Sequence, residues 1–435
     1  MYRRCSTAEV NIGMHDYLCD TDGTGGHLKT LPEDFIVREI SDPPRAKENG
    51  DYTVATVTAR NWETNRMVRL MSRSMGVSRD RIGFAGTKDK RAVTTQLMSV
   101  YGGPDLWEKV DLKDIEVKDV YRVSRGVSIG DLIGNEFEIT VKNCEMDPSL
   151  IRDTVETDSE IIRKTGGFPN YFGVQRFGAV RPVTHLVGER LVRGDIEGAV
   201  RTYISFTTDE EDEELRQKRR ELADTDVSDW ARVFPTIPPA MAFEKMMVGV
   251  LMKDPDDWVG AISILPTNLQ MMFIHAYQSL LFNEMLSRRM DAGLPLNAPV
   301  EGDIIIPLDA NKIPQHENPI LTTPKNIDLV TRQVRAGRAF VTITLFGSDG
   351  ELAEGEMGEI EHKVIEENRL SHDDFIIPEL SRCTSKGSRR EILCPLKKID
   401  SSFSEDRYTL KFSLPKGNYA TCLLREFMKS EMRDY

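Results

Sequence analysis

The sequence predicts an α+β protein whose core is assembled from both ends of the chain, with a separate domain inserted between them. Three observations carry this reading. Alternating, β-branched runs dominate residues 31–141, the character turns helical and strongly charged after about Leu186, and strand style returns at Tyr408–Leu414. A chain of 435 residues is long enough for two or three domains. The core reads as residues 1–190 and 396–435, and the insertion as residues 191–395.

Taken in order, Leu31–Ile40 alternates as a strand, and Tyr52–Ala59, rich in Thr and Val, reads as a second. Thr64 can cap a helix running to about Met75, closed by Gly76. Met67, Leu70, Met71 and Met75 form its apolar face, while Arg66, Arg69 and Arg73 form a separate basic stripe. Strands follow at Val93–Val100, Asp114–Val123 and Glu136–Val141, then a helix from Ser149 to about Lys164 that stops at Gly166-Gly167. In the middle of the chain, Leu186–Ser205 reads as one helix and Asp209–Arg220 as a solvated one, its acids preceding bases at i, i+4. Leu269–Met290 is the strongest amphipathic helix, with Met272, Ile274, Leu280, Leu281 and Met285 as its core face and His275 and Tyr277 as packing residues. Asp303–Pro307 and Ala339–Phe346 are strands, and Ile360–Asn368 is helical. Cys383–Arg390 reads as a basic, glycine-containing loop suited to phosphate. The tail ends in a turn, Leu414–Thr421, and a last helix from Cys422 to about Met432.

Composition excludes several function classes. Forty per cent apolar and 29% charged residues describe a soluble globular chain. The polar start, Met1–Ser6, has no apolar run behind it, so neither a signal peptide nor a membrane span is expected, and the location reads as cytoplasmic. Six cysteines stand at 5, 19, 144, 383, 394 and 422 without a CxxC, and no Cys/His spacing suits zinc. Reduced thiols and no metal are expected. Net charge is −13, yet residues 60–91 hold nine Arg/Lys against three acids, a local +6. Fields act locally at physiological salt, so an acidic chain can still bind phosphate with one face.

The stretch with most chemistry is Ile82–Gln96. A short apolar run leads into a glycine-bearing turn that presents one carboxylate, Asp89, among Lys88, Lys90 and Arg91, and β-branched residues then resume. A charged loop between two strands follows. Alone it fits an ordinary solvated turn better than a catalytic acid. A second landmark, Phe168–Gly178, is dense in aromatics, amides and glycines. Rings that stack, amides that read a base edge and an Arg for phosphate suit a nucleobase pocket, although a buried aromatic corner has the same composition.

Five stretches together resemble the TruD family of pseudouridine synthases. They are Gly23-Thr24-Gly25; Pro32–Phe35; Phe84–Lys90 with Ala92-Val93-Thr94; Asn170–Gly173 with Gln175–Gly178; and Leu414–Gly417 with Ala420-Thr421, in the family's order and across the whole chain. The long middle segment and the basic run Lys386–Arg390 look like the larger archaeal or eukaryotic branch. The resemblance implies isomerisation of a uridine in tRNA, usually at position 13, to pseudouridine. It also implies a mixed, mainly antiparallel sheet with flanking helices and an inserted α/β TRUD domain. By resemblance Asp89 is the catalytic carboxylate, Lys88 its electrostatic partner, and Phe35, Asn170 and Tyr419 line the uridine pocket, with Phe172 a further base contact. Tyr419 stands where the family often has phenylalanine. Arg66, Arg69, Arg73, Lys90, Arg91, Lys386, Arg389 and Arg390 are the candidates for the RNA backbone. The reaction is redox-neutral, so no cofactor is expected, and tRNA is the partner, with no obligate protein partner evident.

Three rivals are weaker. The Walker pattern GxxxxGK[ST] is absent, because Lys88 follows Thr87 and precedes Asp89. Two-metal nuclease chemistry needs acidic partners that Asp89 lacks in sequence. A non-catalytic RNA-binding protein retaining the fold is the remaining alternative, and the complete motif around Asp89 argues against it.

Overall fold

The computed structural model describes residues 3–309 and 313–435, so the first two residues of the polar start lie outside it. The chain forms two compact units, each assembled from separated segments. One comprises Thr21–Phe168, Cys394–Ser430 and Asp434–Tyr435, and the other Met1–Asp20, Pro169–Leu393 and Glu431–Arg433. Among the described residues no helix is long and apolar enough to cross a membrane.

The first unit is built on an 8-stranded sheet. From one edge the strands run Ile399–Ser404, Arg407–Pro415, Leu132–Val141, Phe35–Ser41, Val93–Tyr101, Tyr52–Arg60 and Ile115–Val123, and the short strand Ile82–Phe84 adds to Val93–Tyr101. Every pairing is antiparallel except that of Phe35–Ser41 with Val93–Tyr101, where Ile36 faces Val93 and Arg38 faces Thr95. The helix Thr64–Met75 covers one face, burying Met67, Val68, Met71 and Met75 against Ala55, Val57, Met98 and Val100. Leu70, expected on that face, is only half-buried. Gly76 ends the helix at φ 71°, a left-handed conformation that glycine adopts without strain. The N-terminal cap is Glu63 rather than Thr64: its carboxylate accepts the Asn65 and Arg66 amides at 2.8 and 2.7 Å. That leaves the Thr64 hydroxyl for another use.

The second unit combines helices with a 4-stranded antiparallel sheet ordered Ile320–Leu321, Ile304–Pro307, Ala339–Leu345, Ser388–Glu391. Its centre is the helix Thr267–Asp291. This helix is buried on nearly every side rather than along one stripe, and carries Gln278, Asn283 and Arg289 inside. Each is satisfied: Gln278 donates to the Phe346 carbonyl at 2.7 Å, and Arg289 grips Asp303 through two bonds of 2.7 and 2.9 Å. Polar residues at these positions mimic an amphipathic pattern while facing partners instead of water. The helix Thr184–Val192 approaches it closely, because Gly188 has no side chain: a Cβ there would lie 2.0 Å from the Phe273 carbonyl oxygen.

Two local expectations change. Leu186–Ser205 is not one helix but two, Thr184–Val192 and Ile196–Ser205, and Asp195 caps the second by accepting the Gly198 amide at 2.8 Å. Cys383–Arg390 is not all loop, since Ser388–Glu391 pairs with Ala339–Leu345, setting Arg389 opposite Thr344 and Arg390 opposite Ile343. A free sheet edge with unmet backbone groups captured a segment that its charges alone would leave in solvent.

Candidate active site

The Asp89 loop grows out of a fork in the first sheet. One edge of Val93–Tyr101 is paired along its whole length with Tyr52–Arg60. The other edge is shared: Val93–Thr95 pair with Ile36–Arg38, and Met98–Val100 pair with Ile82–Phe84. The chain that leaves Phe84 and returns at Val93 is therefore a loop, Ala85–Ala92, as its charges and glycine suggest.

Adjacent residues in that loop have opposite environments. The Asp89 side chain is 49% exposed and forms an ion pair of 2.9 Å with Lys29, whose own side chain is 17% exposed. The Lys29 ammonium also lies 4.4 Å from the centre of the Phe35 ring, within cation–π range. Lys88 turns the other way. Its side chain, 5% exposed, pairs at 2.6 Å with Glu39, which is 1% exposed. Lys88 is thus not the electrostatic partner of Asp89; that partner is Lys29. A lysine stem can reach inward from a loop when a buried carboxylate awaits it, and neighbours in extended chain point to opposite sides.

Phe35 is buried, edge-on to Phe137 at 6.2 Å between ring centres. Tyr419 is half-buried at the position preceding the helix Ala420–Met428. Arg66, Arg69 and Arg73 are exposed as a stripe on Thr64–Met75, and Lys90 and Arg91 are exposed in the loop, where Arg91 donates to the Thr30 carbonyl at 3.0 Å.

Asn170, Phe172, Lys386, Arg389 and Arg390 belong to the second unit. Asn170 is buried, and its amide orientation is set by its neighbours. Arg390, which only donates, bonds Asn170 Oδ1 at 2.7 Å, and Asn170 Nδ2 donates to the Glu391 carbonyl at 2.9 Å. The Arg390 guanidinium lies 4.2 Å from the Phe172 ring centre and that of Arg176 5.3 Å from it. Asn283 fixes the Phe172 backbone from both sides, accepting its N–H at 2.9 Å and donating to its carbonyl at 3.1 Å. Lys386 is exposed. Arg389, expected at the RNA backbone, is instead turned inward, bonded to Glu361 at 3.0 Å and to the Thr342 carbonyl at 3.0 Å. Its strand pairing directs it there.

Comparison with known proteins places the chain. The family model described as tRNA pseudouridine synthase D (TruD) matches residues 11–427. The chain belongs to the TruD family. A relative from Methanococcoides burtonii, described as "Probable tRNA pseudouridine synthase D", is 41% identical over 430 residues, 97% of each chain. One from Pyrococcus furiosus with the same description is 37% identical over 96% of this chain and 99% of its own. A crystal structure of a Methanosarcina mazei protein described as "Putative tRNA pseudouridine synthase D (TruD)" superposes with a TM-score of 0.88 at 40% identity, covering 100% of both chains.

Within this TruD chain, two residues at the loop escaped the sequence reading, Lys29 and Glu39. Lys29 sits in a polar run at φ 55°, with no periodicity to mark it. Glu39 looked like one more polar position in an alternating strand. Its one signal is period two, which sets Glu39 on the face of Phe35 and Val37.

Proposed function

We propose that this TruD protein isomerises a uridine of tRNA, at position 13, to pseudouridine, with Asp89 as the reacting carboxylate. The observation that carries the reading is the Asp89 side chain itself, half-exposed on a loop set into the sheet and paired to Lys29, which lies over the Phe35 ring, in a chain that matches its family from residue 11 to 427. The isomerisation breaks the N1–C1′ bond of the nucleotide, forms a C5–C1′ bond, and moves a proton from C5 to N1. A carboxylate serves this reaction as nucleophile at C1′ or as base on the sugar. The base must leave its stack to reach Asp89, and aromatic side chains can replace the stacking it loses. Phe35 and Tyr419, on the unit that carries Asp89, are proposed to receive it, and Asn170 and Phe172, on the second unit, are proposed as contacts to the RNA. Arg66, Arg69, Arg73, Lys90 and Arg91, exposed on the same unit as Asp89, are proposed to meet the RNA backbone. The sheet unit is proposed as the catalytic domain, the Pro169–Leu393 segment of the second unit as the insertion within it, and the cytoplasm as the site of action.

Incubation with unmodified tRNA followed by chemical mapping tests this. The wild type is expected to produce pseudouridine, and Asp89→Asn to lose roughly 10²–10⁴-fold in rate. No product from the wild type removes the activity; full activity in Asp89→Asn removes the assignment of the carboxylate.

A further inference from the structure

We propose that Glu39, Lys88 and Thr64 form a clamp that positions Asp89 for the reaction without touching the substrate. The proposal rests on the reading of Asp89 as the reacting carboxylate, and concerns how the loop is held.

The fork creates a structural problem. Where Ile36–Arg38 and Ile82–Phe84 part company along the same edge of Val93–Tyr101, Gln96 and Leu97 lie between the two pairings. Glu39, just past the last residue of its strand that pairs with Val93–Tyr101, fills that gap. Its Oε1 accepts the Ser41 hydroxyl at 2.7 Å and, at a longer 3.4 Å, the Leu97 amide. Its Oε2 accepts the Lys88 ammonium at 2.6 Å. The pair is thus closed off from solvent with both carboxylate oxygens occupied, the condition under which a buried ion pair holds its geometry.

Lys88 is held a second time, through its backbone. Its N–H donates to the Thr64 hydroxyl at 2.9 Å, the group left over when Glu63 took the cap of the helix Thr64–Met75. The residue before Asp89 is therefore tied by its side chain to the fork and by its main chain to the start of a helix packed on the sheet. Neither tie has an obvious local purpose, since a solvated loop needs no buried anchor. Together they fix where the next Cα sits and which way the Asp89 side chain leaves, while its carboxylate stays open on the other side. Displacing a reacting group by about 1 Å can cost on the order of 10²-fold in rate.

The test is steady-state and single-turnover kinetics on unmodified tRNA, with Asp89→Asn measured alongside and folding checked by thermal melting. Lys88→Met and Glu39→Gln are expected to lower kcat by about 10²-fold with KM for tRNA within about twofold of wild type. The exchanged pair, Glu39→Lys with Lys88→Glu, is expected to recover at least about tenfold over either single change. Because the single changes strand a buried group and can fail to fold, Thr64→Val and Thr64→Ser provide the second arm. Valine, which keeps the shape and loses the hydroxyl, is expected to lower kcat, and serine to retain it. The clamp is overturned if the folded single variants turn over at the wild-type rate. It is equally overturned if the exchanged pair is as inactive as Lys88→Met while Thr64→Val is unaffected, for Lys88 would then act on substrate directly. Full activity in Asp89→Asn would instead sink the reading beneath it.

Discussion

Both candidate regions set a cation on the face of a phenylalanine, and they use it differently. In the sheet unit Lys29 lies 4.4 Å from the Phe35 ring and hands its charge to Asp89, a carboxylate half open to solvent. In the second unit Arg390 lies 4.2 Å from the Phe172 ring and spends its donors on Asn170, an amide whose other end is already tied to the Glu391 carbonyl. The first arrangement leaves a charged group available to a substrate. The second leaves a rigid surface: ring, guanidinium and amide locked by one another. On the proposed function, the first arrangement suits chemistry and the second suits recognition.

The contrast can be broken by experiment. Lys29→Met strips the cation from Asp89 and is expected to cost the most, about 10²–10³-fold in kcat, the scale of loss when one preorganised hydrogen-bond donor is removed. Arg390→Met should cost less, about tenfold in kcat/KM, since it loosens Asn170 and uncovers Phe172 without touching a reacting group. Equal losses for the two, measured side by side on the same tRNA, would erase the distinction. The smallest effect concerns stability of the second unit. Burial against Phe177 holds the His185 imidazole down at about 4. Above pH 6.5 folded and unfolded chains both carry it neutral, and its contribution is fully present. As pH falls from 6.5 towards 4 the unfolded chain takes up a proton that the folded one refuses, so stability is lost, by up to about 3 kcal/mol. Denaturation of His185→Phe across that range should show a flatter pH dependence than wild type; an identical slope would exclude His185 as its source.

Local pattern carried the sheet unit far. The strands Tyr52–Arg60, Val93–Tyr101 and Ile115–Val123, and the helix ending at Gly76, fall within a residue or two of expectation because alternation and caps are local signals. Asp89 on a loop was legible for the same reason. Its partner was not. The family resemblance pointed to Lys88, whereas the pairing is made by Lys29, 60 residues upstream, and Lys88 is drawn away by a carboxylate on another strand. The fork that directs both is a matter of which strands share an edge, and no single segment records that. In the second unit, Arg389 and Arg390 read as loop cations because their charges dominate the run, yet an unpaired edge at Ala339–Leu345 took them into a sheet. The buried polar residues of Thr267–Asp291 misled in the same way: Gln278 satisfies a partner 68 residues on and Arg289 one 14 residues on.

The pairing of Arg407–Pro415 with Leu132–Val141 has a consequence for synthesis. Thr409 and Thr140, opposite one another in this ladder, are 269 residues apart. A ribosome adding about 5–20 residues per second needs roughly 15–50 s to make the intervening chain. For that interval Leu132–Val141 has no outer neighbour, and its inward-facing Phe137, Ile139 and Val141 wait for the last strand to bury them. Truncation anywhere before residue 407 leaves the same edge bare. Completion of the sheet is therefore among the final events in the birth of the molecule.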